Sequence, residues 1–258
     1  MQVHSPDWSN PPDEPHVEKQ YIHVWRASLD CEVAVLRHLE TVLTPDEKSR
    51  AARFIFARDR DHFIVARGIL RTLLGAYLQR PATDVEFLHG PQNKPAIHSD
   101  SPQPPIHFNL SHSHGLVIYA IGQQREVGID LEMIQPAFAG EEIAERFFSS
   151  QELAELHSLP PQLRANGFFL CWTRKEAYVK ARGAGMGIPL DSFDVSLTPG
   201  KPAELWSTDS RRWSLRSLQP ADGYVGALVG EGQGWGVRLW DWRPRENSMM
   251  QGHHPALR

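Results

Sequence analysis

Two carboxylates lie two residues apart in the apolar stretch VGIDLEMI at residues 127–134. Side chains alternate between the two faces of a strand, so Asp130 and Glu132 share one face. Carboxylates held side by side repel each other unless a cation lies between them, and Mg²⁺, which prefers oxygen ligands, would remove that conflict. The alternative is that both acids line the solvated face of a half-buried strand.

A third carboxylate lies in WTRKEAYVK at residues 172–180. On a helix, Trp172, Glu176 and Lys180 lie four residues apart and share one face. Such a Glu–Lys pair is also common on helix surfaces, where it contributes little to stability. The spacing alone therefore leaves a functional pair and a surface pair open.

Polar side chains also cluster in FNLSHSHG at residues 108–115, which contains Ser111, His112, Ser113 and His114. Serine and histidine suggest a nucleophile and its base, but no G-x-S-x-G elbow surrounds them. A loop that binds an anion through hydroxyl, imidazole and backbone N–H groups is the favoured interpretation. A plain polar loop is the alternative.

Basic residues are frequent in the first half of the chain, at Arg50, Arg53, Arg58, Arg60, Arg67 and Arg71. Arg60, Arg67 and Arg71 can share one helix face, as a solvated face or as a phosphate-binding wall. Lys94 precedes Pro95, which places a charge on a rigid loop.

Two long helices are predicted to carry some of these side chains, from about Asp59 to Arg80 and from about Gln162 to Arg182. The first has an apolar stripe at helical spacing. TPDE at 44–47 and SSQE at 149–152 are capping boxes that start further helices. Gly183 lies where the second long helix is expected to end.

The alternation of apolar and polar residues predicts strands over 21–29, 106–122, 127–134, 191–197, 213–218, 224–230 and 235–242. The pattern predicts a hairpin of 106–122 with 127–134, through a turn near residues 123–126. We therefore expect an α+β fold of two similar lobes related by pseudo-twofold symmetry, each an antiparallel sheet packed with a long helix, with the active site in the cleft between. The predicted segments are a flexible lead-in (1–19), an N-terminal lobe (20–124), a C-terminal lobe (125–244) and a disordered tail (245–258).

Composition narrows the class of protein. The chain has 258 residues, 41% hydrophobic and 22% charged, with a formal net charge of −4 that does not favour a nucleic-acid partner. Only Cys31 and Cys171 are present, too few for a disulfide framework. With no apolar signal core and no membrane-length apolar run, we expect a cytoplasmic protein without a membrane partner.

Together and in this order, the motifs resemble the 4′-phosphopantetheinyl transferases of the Sfp type. The resemblance runs from about Thr44 to Phe193 and rests on TPDEKSRAARF, NKP, FNLSHS, VGIDLE, RFFSSQE, WTRKEAYVK and GIPLDSF. It implies a monomeric enzyme that moves the phosphopantetheine arm of coenzyme A to a serine of an apo acyl or peptidyl carrier protein. Adenosine 3′,5′-bisphosphate would be released, and Mg²⁺ would be required, with Mn²⁺ as a substitute. The alternative is a non-catalytic relative that binds coenzyme A or carrier proteins.

The resemblance also implies roles for single residues. Asp130, Glu132 and Glu176 would be the Mg²⁺ ligands, and Lys180 would neutralise pyrophosphate charge. Because Glu176 shares a helix face with Lys180, we also expect it to accept the serine proton, directly or through a water.

Coenzyme A would be held by five further residues in addition to Lys180. Ser111 and His112 would hold its phosphates, with His112 on the 3′-phosphate. Lys94 and Pro95 would lie along the adenine nucleotide, and Arg50 matches a basic contact to the 3′-phosphate.

The chain departs from the family pattern at two positions. Asn93 replaces a frequent glycine before Lys94, and asparagine tolerates positive φ better than most residues. Glu47 replaces a lysine that some members use for the 3′-phosphate, a loss for which Lys48 or Arg53 would compensate. Carrier recognition is expected on an apolar surface near the cleft, around Phe147 and Phe148, unless these belong to the core.

Overall fold

The computed structural model describes residues 8–89, 94–98, 104–137, 140–183, 187–209 and 212–244. Within these ranges, two larger sheets lie face to face. The first contains β1 (Tyr21–Ser28), β4 (Ile106–Ser113), β5 (Leu116–Gln123) and β11 (Gly236–Asp241), in the order β11-β1-β5-β4. The second contains β6 (Val127–Met133), β9 (Trp213–Leu218) and β10 (Tyr224–Glu231), in the order β6-β10-β9. Two short ribbons pair β2 (Phe87–His89) with β3 (Pro95–Ile97), and β7 (Asp194–Val195) with β8 (Leu205–Trp206).

The helices are α1 (Val33–Thr41), α2 (Pro45–Ala51), α3 (Ala57–Leu78), α4 (Glu141–Phe147), α5 (Ser150–Ser158) and α6 (Pro161–Arg182). Both predicted capping boxes are present: Thr44 with Glu47 starts α2, and Ser149 with Glu152 starts α5. Both long helices are confirmed. Helix α6 ends at Gly183, whose left-handed φ of 62° suits a residue without Cβ. None of the helices in the described ranges is long and apolar enough to cross a bilayer.

The layers follow from strand alternation. On β5, Val117 and Tyr119 pack toward α3, while Ile118 points to the opposite face. That opposite face meets the second sheet in a central core that includes Ile118 and Ile129. Ala227 of β10 packs outward in the cluster that also contains residues of α6. The order of layers is therefore α3, first sheet, second sheet, α6.

A glycine allows α6 to approach β6 closely. A Cβ placed on Gly128 would lie 2.1 Å from the carbonyl oxygen of Ala177 and 2.2 Å from the amide nitrogen of Ala181. Any other residue at this position would push the helix away from the strand. Because α6 carries Glu176 and Lys180, this contact brings both side chains next to the acids of β6.

The predicted hairpin between 106–122 and 127–134 is wrong. The first of these segments is itself a hairpin, in which β4 and β5 pair across a turn at His114 and Gly115. Both turn residues have positive φ, 45° and 87°, as a tight two-residue hairpin requires. Strand β6 pairs with β10 instead, so β4 and β6 are neighbouring edges of different sheets.

The α+β class is confirmed, but the first sheet is not wholly antiparallel. Strand β11 comes from the predicted C-terminal lobe and pairs in parallel with β1 of the predicted N-terminal lobe. A simple division at residue 124 therefore cuts across one sheet. The pseudo-twofold relation of the two lobes stays a prediction.

Part of the predicted lead-in at residues 1–19 packs against the fold, contrary to a flexible segment. Ser9 forms a bridge with Trp240, and Val17 is 2% exposed in the core beside α3. Residues 1–7 and the predicted tail at 245–258 lie outside the described residues.

Candidate active site

Asp130 is the meeting point of three structural elements. It lies on β6 with 4% of its surface exposed. Lys180 of α6 donates from Nζ to Asp130 Oδ1 at 2.6 Å, and Ser111 of β4 donates from Oγ to the same oxygen at 2.8 Å. Lys180 Nζ also donates to Ser111 Oγ at 3.2 Å. Three of the residues predicted from separate motifs therefore form one hydrogen-bonded cluster.

The other two predicted acids, Glu132 and Glu176, lie close enough to Asp130 for its negative charge to shift the pKa of each. Burial, followed by the negative charge of Asp130, raises the pKa of Glu176, and Lys180 opposes that rise. Burial also raises the pKa of Glu132, with Asp130 adding to the rise and a hydrogen bond from Ser113 opposing it. The repulsion expected from the sequence is thus present.

The cluster suits a hard divalent cation, although it is not a closed metal cage. Among the described residues, no three His, Cys, Asp or Glu side chains converge into a ready-made metal site. Lys180 holds one oxygen of Asp130, but the other, Oδ2, is buried without a hydrogen-bond partner. The carboxylates of Asp130, Glu132 and Glu176 outnumber the one ammonium of Lys180, which leaves excess negative charge. The atoms that they offer to a cation are oxygens, as Mg²⁺ prefers.

A cavity of about 740 Å³, here called the α6 cavity, opens beside Glu176 and Lys180. Its wall also includes Lys94, Pro95 and Asn109. The rest of its wall is largely apolar and includes Phe147, Trp172, Val179, Ile188, Pro189 and Leu190.

Lys94 lies in the wall of this cavity, but its ammonium group is already engaged. Nζ donates to Glu126 Oε2 at 2.8 Å and to the carbonyl oxygens of Val127 and Ala181 at 3.1 Å each. These bonds tie the loop before β3 to the start of β6 and the end of α6. The contact of Lys94 and Pro95 with an adenine nucleotide therefore stays a prediction.

A second cavity of about 800 Å³, here called the basic cavity, lies against α3. Its wall includes Arg50, Arg58, His62, Arg67, His112 and His114. Restricted hydration, followed by the charge of Lys180, lowers the pKa of His112. An anion in the cavity would oppose this lowering, and the arginines of the wall add positive charge, so the cavity fits a phosphate.

Ser111 and His112 face different ways, although the sequence suggested that both hold phosphates. They are neighbours on β4, so their side chains alternate: Ser111 points to Asp130, whereas His112 points into the basic cavity. The structure separates the predicted residues into one group around Asp130 and another, with Arg50 and His112, in the basic cavity.

Glu47 has a structural role rather than a place in a phosphate site. It is 8% exposed and accepts hydrogen bonds from Arg71 Nε at 2.6 Å, from Arg67 Nε and from the Thr44 amide at 2.9 Å. Arg71 is 2% exposed, so the predicted row of Arg60, Arg67 and Arg71 is not a uniform solvated face.

Three features of the site were not predicted from the sequence. Asn109 lines the α6 cavity, Ser113 donates to Glu132, and His62 lines the basic cavity. Asn109, Ser111 and Ser113 recur at every second position of FNLSHS, and this alternation was the available signal. No local pattern pointed to His62, because α3 and β4 meet only in the folded chain.

Comparison with known proteins decides the family. A model of the 4′-phosphopantetheinyl transferase superfamily matches residues 126–229, and a model of the N-terminal part of 4′-phosphopantetheinyl transferase matches residues 25–124. The 4′-phosphopantetheinyl transferase HetI of Nostoc is 39% identical over 219 residues, which cover 85% of this chain and 91% of HetI. The chain belongs to the 4′-phosphopantetheinyl transferase superfamily.

Two other matches are more distant. The 4′-phosphopantetheinyl transferase Sfp of Bacillus subtilis is 32% identical over 155 residues, which cover 60% of this chain and 66% of Sfp. The crystal structure of the holo-acyl-carrier-protein synthase of Thermotoga maritima matches with 22% identity and a TM-score of 0.34, over 42% of this chain and 63% of that one. The named relatives confirm the predicted family and a transferase, and do not favour a non-catalytic relative.

Proposed function

We propose that this phosphopantetheinyl transferase uses coenzyme A as its donor and a serine of an apo acyl or peptidyl carrier protein as its acceptor. Adenosine 3′,5′-bisphosphate is the second product, and Mg²⁺ is the required cation. The observation that carries the proposal is the cluster of Asp130, Ser111 and Lys180, with Glu176 in the wall of the α6 cavity.

In this proposal, different parts of coenzyme A bind at different sites. The basic cavity receives the 3′-phosphate, between Arg50 and His112. The pyrophosphate lies at the cluster, where Lys180 offsets its negative charge. When bound, Mg²⁺ would be held by Asp130, Glu132 and Glu176 and would stabilise charge on the pyrophosphate oxygens.

In the reaction, the carrier serine Oγ forms a bond to the β-phosphorus, and the bond from that phosphorus to the bridging oxygen of the α-phosphate breaks. Glu176 accepts the serine proton. Lys180 stabilises the charge that develops on the departing bisphosphate. The nucleophile comes from the partner, which explains why the chain needs no nucleophile elbow of its own.

The activity is tested by incubating the protein with coenzyme A, Mg²⁺ and a panel of apo carrier proteins from fatty-acid, polyketide and nonribosomal-peptide synthesis. We expect a carrier mass gain of one phosphopantetheine group, abolished by EDTA. Binding of a carrier or coenzyme A without any mass gain across the panel would contradict the proposal.

The Arg50→Ala variant tests the place of the 3′-phosphate. A charge-assisted hydrogen bond is worth about 1.5–3 kcal/mol, so we expect the KM for coenzyme A to rise about 10- to 100-fold. The KM for 3′-dephospho-coenzyme A, which lacks that phosphate, should change little. Arg60→Ala is the matched control, because Arg60 pairs with Asp61 on the surface of α3 at 2.9 Å. Equal effects of Arg50→Ala on both donors would refute the assignment.

A further inference from the structure

The edge strands β4 and β6 are joined by side chains rather than by a main-chain ladder. In their sheets β4 pairs with β5, and β6 with β10. The facing edge of β6 is met by alternate side chains of β4. Asn109 Oδ1 accepts from the Ile129 amide at 2.9 Å, and Ser113 Oγ accepts from the Met133 amide at 3.3 Å.

The same row of side chains also contacts the acids of β6. Ser111 Oγ donates to Asp130 Oδ1 at 2.8 Å, and Ser113 Oγ donates to Glu132 Oε2 at 2.8 Å. The two acids differ in their other support. Asp130 is held additionally by Lys180, whereas Ser113 is the hydrogen-bond donor found for Glu132 within the described part of the chain.

Ser113 is itself firmly placed. It is 8% exposed at the end of β4, directly before the tight turn at His114 and Gly115. Tyr224 of β10 donates to the carbonyl oxygen of His114 at 2.8 Å, which fixes the turn to the second sheet. The single hydroxyl proton of Ser113 goes to Glu132, so the 2.9 Å contact with His114 Nδ1 requires the ring to donate.

We propose that Ser113 is a positioning residue that orients the Glu132 carboxylate toward a divalent cation. The bond engages one oxygen, Oε2, and leaves the other to a cation. Because a free Glu side chain has several rotamers, fixing it in advance reduces the entropy lost on cation binding. This inference rests on the proposed function, since it takes Glu132 as a cation ligand.

The test is a titration with Mn²⁺, which serves as a probe for the divalent site, in the presence of coenzyme A. Electron paramagnetic resonance measures the free Mn²⁺ and so gives the Kd. Removing a group that orients a metal ligand typically weakens metal affinity 10- to 100-fold. We therefore expect Ser113→Ala to raise the Kd for Mn²⁺ at least about tenfold. Ser113→Thr keeps the hydroxyl and is expected to restore affinity close to that of the unmodified protein.

Ser214→Ala is the matched control. Ser214 is a buried serine of β9, 5% exposed, and it donates to the carbonyl oxygen of Gly232 at 2.7 Å. Ser214→Ala should lower the stability of the fold about as much as Ser113→Ala does, without changing the Kd for Mn²⁺. An unchanged Kd in Ser113→Ala, or equal shifts in Ser113→Ala and Ser214→Ala, would overturn the Ser113 assignment alone. An unmodified protein that bound no Mn²⁺ would overturn both this assignment and the proposed cation.

Discussion

Glu176→Gln is expected to lower kcat by about 10²- to 10⁴-fold, the range typical of a lost general base. Glutamine keeps the size and hydrogen-bonding shape of the side chain but cannot accept the proton of the carrier serine. The measurement is the steady-state rate of carrier modification at saturating coenzyme A. Circular dichroism of the variant should be unchanged, because Glu176 lies in a cavity wall and not in the core.

The raised pKa of Glu176 also predicts how the reaction rate changes with pH. Burial and the charge of Asp130 raise the pKa of Glu176, so the carboxyl is protonated, and inactive as a base, over a wider acidic range than a free glutamate. In the unmodified enzyme, kcat/KM should therefore fall as pH drops through that raised pKa. In Glu176→Gln this acidic limb should become shallower, and the part that remains should come from Glu132, whose pKa is also raised.

A cation titration separates the two roles of Glu176. If it served only as a cation ligand, excess Mg²⁺ would restore the rate of the glutamine variant. We expect no such recovery. Full turnover in Glu176→Gln with an unchanged pH profile would show that Glu176 is not the base.

Lys175→Met should destabilise the fold by about 3–5 kcal/mol, the usual cost of breaking a buried ion pair by removing one partner. Lys175 Nζ lies 2.7 Å from Glu152 Oε2, and the two side chains are 0% and 1% exposed. Lys175 also donates to the carbonyl oxygens of Leu190 and Phe193 at 2.6 and 2.7 Å. The variant leaves the buried Glu152 carboxyl without a counter-ion. Urea unfolding would measure the loss.

Two comparison variants identify the cause. Arg212→Met removes a largely exposed ion pair to Glu231 of 2.9 Å and should cost about 1 kcal/mol or less. Glu152→Gln added to Lys175→Met removes the carboxyl that has lost its counter-ion. Its one amide oxygen can still accept from either the Ser149 or the Val195 amide, which bind different oxygens of Glu152. The double variant should be more stable than Lys175→Met alone. A stability loss in Lys175→Met no larger than in Arg212→Met would contradict a structural role for this pair.

The motif WTRKEAYVK shows how far the sequence could go. Its helical spacing placed Glu176 and Lys180 on one face, and the structure has both in the wall of the α6 cavity. Arg174 and Lys175 seemed unspecific from the sequence, yet they are 2% and 0% exposed. Spacing cannot reveal such burial, because the carbonyl groups that satisfy these cations come from distant loops and strands.

Strand β6 shows the opposite limit. Alternation correctly put Asp130 and Glu132 on one face, with Ile129 and Leu131 in the core on the other. It gave the wrong partner strand, because the pattern of a strand states which faces are polar and not which edge is paired. The turn at His114 and Gly115, with two positive φ angles, was hidden inside what read as one continuous strand.

By itself, the sequence determined the residue types, their spacing along helices and strands, the helix starts and the family. These depend on local physics and on the order of motifs along one chain. The tertiary structure decided that Ser111 faces Asp130 while His112 faces the basic cavity, that Glu47 is engaged by Arg67 and Arg71, and that Ser113 holds Glu132. Each of these depends on which sheet edge lies beside which helix or strand, and such contacts form between segments far apart in the chain, beyond the reach of local periodicity.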